Sequence, residues 1–219
     1  MEYKKNLLEN VHFGLKLPAN ESQSSLIRGN YLYYHYKCDG FNDVGWGCGY
    51  RTLQTICSWV KNHFDIQDSK SAPEVPSIIE LQKALVEIGD KNVSFIESRE
   101  WIGSVEVSYC LDYFYKIPCR ILHCRNIQEL QKHGSDIFDH FIQHGSPVMM
   151  GGDRDCSSKG ILGIAETNDG TFLLILDPHF SGPSATQEKL QKEGWIKWHK
   201  VNDLDSSSFY NLCFPLINI

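Results

Sequence analysis

Three glycines alternate through Asp43-Val44-Gly45-Trp46-Gly47-Cys48-Gly49-Tyr50-Arg51, and the run leads without a break into a helical pattern. Leu53, Ile56, Cys57, Val60 and Phe64 recur at the spacing of a helix that buries one face. This junction limits the possible folds more than any other stretch. The glycines let the backbone turn sharply and keep side chains away from the cysteine, while the first helical turn carries N–H groups with no intrahelical partner. A thiol reacts as its thiolate, and a helix N-terminus is one setting that lowers its pKa. The chain must therefore present Cys48 at a helix start with open space before it.

The first half of the chain continues in helical pattern. Ser77 with Glu80 has the form of a capping box, opening a helix over 78–88 that stops at Gly89. Residues 104–115 are amphipathic, with Val105, Val107, Ser108, Leu111, Phe114 and Tyr115 as the expected buried set, and Pro118 leads into a strand over 119–123. Another helix is predicted over 127–144. Upstream, the aromatic run 29–36 has strand preference and breaks at Lys37-Cys38-Asp39-Gly40; the first 25 or so residues read as a strand or arm leading in. The apolar runs 147–150, 161–165 and 172–176 have strand length, and Asn168-Asp169-Gly170 carries a hairpin signal. The expected class is α+β, an N-terminal helical half with Cys48 at a helix start packed on a C-terminal, mainly antiparallel sheet, in one domain over 1–219.

Composition narrows the function. With 42% hydrophobic, 22% charged and 12% aromatic residues, the makeup is that of a globular enzyme. A formal charge of -6 and the lack of a long Lys/Arg run argue against nucleic acid or an anionic membrane as the main partner, and no stretch reaches the roughly 18 apolar residues that span a bilayer. The eight cysteines follow an N-terminus, Met1-Glu2-Tyr3-Lys4-Lys5, without a signal-peptide apolar core, so a cytoplasmic chain with reduced thiols is expected. Cys119 and Cys124, with four residues between them, do not have a CxxC spacing, and no metal or other cofactor is expected.

Cys48 needs a base from far along the chain. Leu173-Leu-Ile-Leu176 reads as a buried strand, so Asp177 and His179 fall at its end, two residues apart and on one face. Asp177 then orients and charge-stabilises His179, and Pro178 fixes its own φ while pushing Asp177 into an extended conformation. A glycine-flanked cysteine at a helix start is by itself usually structural, and Asp-Pro-His by itself is usually a turn. Together, about 130 residues apart, they point to a cysteine–histidine–aspartate triad. His35, His123, His140 and His144 are rival bases, but none has an adjacent carboxylate at an apolar strand end.

These residues resemble a known family. Tyr34-His35-Tyr36, the seventeen-residue block from Asp43 to Trp59, Glu100-Trp-Ile-Gly-Ser104, Pro147-Val-Met-Met-Gly-Gly152 and Leu174-Ile-Leu-Asp-Pro-His179 are similar, in order, to the proteases specific for ubiquitin-fold modifier. The short length and Gly151-Gly-Asp-Arg-Asp-Cys-Ser-Ser158 resemble the small type-one form, with Asp153 and Arg154 departing from the type-two pattern. The resemblance implies a papain-like cysteine protease fold and two activities on that modifier, trimming its precursor after the C-terminal glycine and cleaving its isopeptide bond to a substrate lysine. It matches Tyr36 to the family's oxyanion tyrosine and Trp101 to a modifier-contacting position. A groove around Trp46 and its flanking glycines, too tight for side chains, is expected to select the glycine tail. The partner implied is the modifier, as precursor and as conjugate, bound by a monomer. The rival readings are an autophagin-like protease, which shares Gly-Trp-Gly-Cys and Asp-Pro-His, and a binding module for a ubiquitin-like protein that performs no catalysis.

Overall fold

The computed structural model describes residues 7–67, 73–154, 156–182 and 185–217. The charged N-terminus lies outside these residues, as does the stretch 68–72. In chain order the elements are β1 (Glu21–Leu26), α1 (Cys48–Gln67), α2 (Ile78–Glu87), α3 (Ser104–Tyr115), β2 (Cys119–Cys124), α4 (Ile127–Lys132), α5 (Gly134–Gln143), β3 (Val148–Gly152), β4 (Ser158–Thr167), β5 (Gly170–Leu176), α6 (Gln187–Glu193), β6 (Ile196–Lys200) and β7 (Tyr210–Pro215). Every strand pairing described is antiparallel, in the order β2-β7-β3-β4-β5-β6. The long strand β4 pairs with β3 over its first residues and with β1 over its last ones, with β5 along its other edge. The expected hairpin joins β4 to β5, with Thr167 opposite Gly170.

Helix α1 runs through the middle of the molecule. It packs on β4, β3 and α3, and every residue from Trp46 to Val60 is buried, so the helix is enclosed on all faces rather than on one. Enclosure makes partners for its polar side chains valuable, because an unbonded buried polar group costs about 1–3 kcal/mol; from Trp46 to Val60 only the Thr52 hydroxyl is buried without one. Thr55 Oγ1 accepts the Tyr34 N–H at 3.1 Å and Ser58 Oγ accepts the Leu32 N–H at 2.9 Å, while Gln54 Nε2 donates to the Pro76 carbonyl at 2.8 Å. These bonds explain why the aromatic run 29–36 is not the strand its composition predicts. Two of its N–H groups are bound by polar side chains of α1, those of Tyr31 and Tyr33 by Asn10 and the Leu8 carbonyl, and its ladder pairing reduces to one bridge between Glu9 and Leu32.

Two other expectations are corrected. The helix predicted over 127–144 is two helices that meet at His133-Gly134, where glycine weakens helix propensity and the His133 ring bonds Asp136 at 2.8 Å. In α3, Val107, Leu111 and Tyr115 are buried as the period requires, together with Cys110, but Val105 is exposed. By contrast, the Ser77–Glu80 capping box is present in full at the start of α2.

The start of α1 is fixed by a buried ion cluster. Arg51, fully buried, donates Nε to Asp43 at 2.7 Å and both terminal nitrogens to Asp39 at 2.8 Å. Asp43, itself fully buried, also accepts the Lys37 N–H at 2.9 Å, which ties the loop before Cys48 to the helix. Removing one member of a buried ion pair strands the other charge. Arg51→Met is therefore expected to lower unfolding stability by about 3–5 kcal/mol, read from the urea midpoint; a loss under about 1 kcal/mol would count against the cluster as the anchor of this loop.

Candidate active site

Cys48 is the first residue of α1 and is 6% exposed. The turn that delivers it is closed by the Asp43 carbonyl, which accepts the N–H groups of Gly47 at 2.8 Å and Trp46 at 3.2 Å. Two glycines are obligatory here for lack of space. A Cβ on Gly47 would lie 2.3 Å from Asp43 Oδ2, and one on Gly49 would lie 2.5 Å from the Ile102 carbonyl oxygen. The second contact brings the segment before α3 directly against the nucleophile's turn.

The histidine arrives from the end of β5. Asp177 N–H donates to the Trp195 carbonyl at 2.7 Å, holding the strand end, and Asp177 Oδ1 accepts both the His179 N–H at 3.0 Å and its ring Nδ1–H at 2.5 Å. Nε2 is left for the Cys48 sulfur, with which the imidazole is hydrogen-bonded. The aromatic run secures this corner from the other side. Tyr33 Oη donates to the Asp177 carbonyl at 2.5 Å, and the Tyr36 N–H donates to the Pro178 carbonyl at 3.0 Å. The Tyr36 ring stands edge-on to His179, centroids 5.1 Å apart, and its phenol bonds Cys48.

The electrostatics follow from these contacts. Burial alone would raise the Cys48 thiol, yet hydrogen bonds from His179 and the Ser158 backbone N–H, with the attraction of His179 and the Tyr36 phenol, bring it below its ordinary value. Burial would likewise depress His179; the bonds to Asp177 and Cys48 overcome it and lift the imidazole to about 9. Burial works against ionising Asp177 too, but its bond to His179 and the charge there hold the carboxyl below its usual range. Tyr36 is pushed up by burial and by Cys48, so its O–H stays protonated as a donor. The arrangement stabilises a thiolate–imidazolium pair beside a neutral phenol.

A cleft of about 290 Å³ opens beside Cys48. Trp101 to Ser104 form one side, Gly151, Gly152 and Ser158 another, and Phe209 and Asn211 of the β7 segment close it. Trp101, 53% exposed, stands at its rim. Trp46 is elsewhere: 6% exposed, it packs edge-on between Phe41 and Tyr50, with centroids 5.8 and 5.6 Å away, and is not among the residues lining the cleft. The rival histidines have other work. His35 Nδ1 bonds the Tyr36 and Phe180 carbonyls, His140 Nε2 bonds Ser146, and His144 Nδ1 bonds the Ile217 carbonyl. Among the described residues no group of three or more His, Cys, Asp or Glu is placed to hold a metal ion.

The sequence reading missed three contributors. Ser158 acts through its backbone, for which no residue signal exists. Tyr33 and the Asp43–Arg51 pair were in view as residues, but their partners are set by the tertiary fold.

A buried, polarised thiol at the start of a central helix, facing a histidine–aspartate pair on an antiparallel sheet, defines a papain-like cysteine peptidase of the α+β class. The profile described as Peptidase family C78 matches residues 22–213, and the chain belongs to that family. It is 46% identical over 211 residues to Ufm1-specific protease 1 of Mus musculus, covering 95% of this chain and 94% of the mouse protein. It is 42% identical over 216 residues to Ufm1-specific protease 2 of Gallus gallus, covering 97% of this chain but 45% of that longer protein. The crystal structure of UfSP from C. elegans superposes with a TM-score of 0.81 at 32% identity, over 97% of this chain and 38% of the other.

Proposed function

We propose that this chain, acting as a single peptidase domain and as a cytoplasmic monomer, hydrolyses the bond after the C-terminal glycine of the ubiquitin-fold modifier Ufm1, in the precursor and in conjugates. The observation that carries the reading is the sulfur of Cys48 held at once by His179, by Tyr36 and by the Ser158 N–H, in the lining of a cleft of about 290 Å³. The names of the relatives at 46% and 42% identity supply the substrate.

In this mechanism the Cys48 thiolate attacks the glycine carbonyl. The tetrahedral oxyanion is held by the Tyr36 phenol and by the Cys48 N–H, one of the unpartnered donors of the first turn of α1; one such donor is worth about 2.7–4 kcal/mol in the transition state. The His179 imidazolium, steadied by Asp177, protonates the leaving amine, and as neutral imidazole it then takes a proton from the water that hydrolyses the thioester. Trp101 touches the tail at the rim of the cleft. Trp46 serves from the core, bracing the loop that carries Cys48.

The pure protein, incubated with Ufm1 precursor, ubiquitin precursor and an autophagy-type modifier precursor, is expected to trim the first alone, as read by mass spectrometry. Cleavage of only the other two would overturn the substrate assignment and leave the autophagin-like reading standing.

A further inference from the structure

One wall of the cleft is held by more than its strand ladder. β3 and β7 pair as far as Gly152 and Tyr210, and one residue further the Asp153 N–H donates to the Phe209 carbonyl at 3.3 Å. The Asp153 carboxylate then turns back on the same segment. Its Oδ1 accepts the Phe209 N–H at 2.8 Å and the Ser208 hydroxyl at 2.8 Å, and the fully buried Ser208 hydroxyl accepts the Arg154 N–H at 3.3 Å. Phe209, so gripped, stacks on His123 with centroids 6.0 Å apart and lines the cleft beside Asn211. Two residues along, the Asn211 carbonyl accepts the Ser104 hydroxyl at 3.0 Å, which ties the same stretch to the opposite wall at the start of α3. The distance between the walls is thus fixed at 209–211, and on the β3 side one carboxylate oxygen supplies the two side-chain bonds that extend the ladder to Ser208 and Phe209.

We propose that Asp153 is a positioning residue that sets the width of the tail groove: it holds Phe209 as a rigid wall and so enforces preference for a tail without side chains. The inference rests on the assignment of the cleft to the modifier's tail. Bonds to an ionised acceptor are the stronger ones, and loss of this acceptor leaves the Phe209 N–H and the Ser208 hydroxyl to find others. The wall then gives, and a Cβ at the terminal residue is admitted. One methylene in a well-fitted pocket is worth roughly 10–200-fold in kcat/KM, and this is the discrimination at stake.

The test uses the full chain and Ufm1 carrying a C-terminal fluorogenic amide, with either glycine or alanine at the terminal position. Asp153→Ala is expected to raise KM for the glycine substrate about tenfold with kcat falling less than threefold, and to bring the glycine-to-alanine preference to within about threefold. Asp153→Asn, which keeps the acceptor oxygen, restores both. Phe209→Ala reproduces the loss, and the double variant is no worse than Phe209→Ala alone, because Asp153 acts through that ring. Additive effects in the double variant, an Asn variant as impaired as the Ala variant, or an unchanged preference in Asp153→Ala would each overturn the inference while leaving the proposed function intact. A wild-type protein that cleaves neither substrate overturns the functional reading and this inference with it.

Discussion

Replacing Cys48 with alanine is expected to lower kcat for release of the modifier's C-terminal extension by about a millionfold, the scale on which loss of a triad nucleophile acts, because the other thiol lining the cleft, Cys156, bonds the Asp153 carbonyl and not His179. Binding should survive. The residue is small, sits at a helix start that Asp43 closes through backbone bonds, and contributes no side chain to the Arg51 cluster. The variant therefore separates the peptidase from a module that only grips a ubiquitin-like protein: Kd for the modifier changes little while hydrolysis disappears. The companion measurement uses Ufm1 with a C-terminal electrophile, which should add covalently to Cys48 in the wild type and leave Cys48→Ala unlabelled in the mass spectrum. Turnover by Cys48→Ala within tenfold of wild type would remove Cys48 from the mechanism. No adduct with the wild type would favour the binding module.

What the sequence made legible was local chemistry. Ser77 with Glu80 and Asn168-Asp169-Gly170 specify a cap and a turn through contacts between near neighbours, and both are present in the fold. Cys48 at the first position of α1 was legible for the same reason. The run 29–36 was misread because its aromatic composition describes a strand, whereas its backbone partners are scattered, Thr55 and Ser58 on α1, Leu8 and Asn10 upstream and Pro178 downstream. Those hydroxyls carried a signal after all: polar residues on every face of a helix that must be buried are acceptors waiting for a chain. Trp46, expected beside the groove, is a large apolar ring that packs into the core, where it finds more contact than at a cleft rim. No element was read beyond 179, where β6 is a short edge strand, Ile-Lys-Trp-His-Lys, without regular alternation, and β7 mixes polar with apolar residues. With β7 went Phe209 and Asn211, so the closed side of the cleft was invisible from sequence.

Asp177→Asn tests the electrostatics rather than the inventory of the site. In the wild type, burial pushes His179 down and the Asp177 carboxylate, with Cys48, pulls it up to about 9. Neutralising the aspartate removes the main upward pull and leaves burial in place, so the imidazolium gives up its proton at lower pH. Cys48 in turn loses part of its cationic partner, and its thiol moves upward. The two limbs of kcat/KM against pH therefore approach each other: the acid limb, set by thiolate formation, shifts up, and the alkaline limb, set by loss of the His179 proton and lying near 9 in the wild type, shifts down. At the optimum the rate falls as well. The asparagine can keep its oxygen on the His179 backbone N–H, which Asp177 Oδ1 now accepts at 3.0 Å, but its amide N–H can then face Nδ1 and force the ring proton onto Nε2. That tautomer cannot take a proton from Cys48, and a drop in kcat of about 10⁴ is expected. The pH profile carries the distinction, since a merely structural loss would lower the whole curve without moving its limbs. An alkaline limb that stays near 9 in Asp177→Asn would show that Asp177 does not hold the charge on His179.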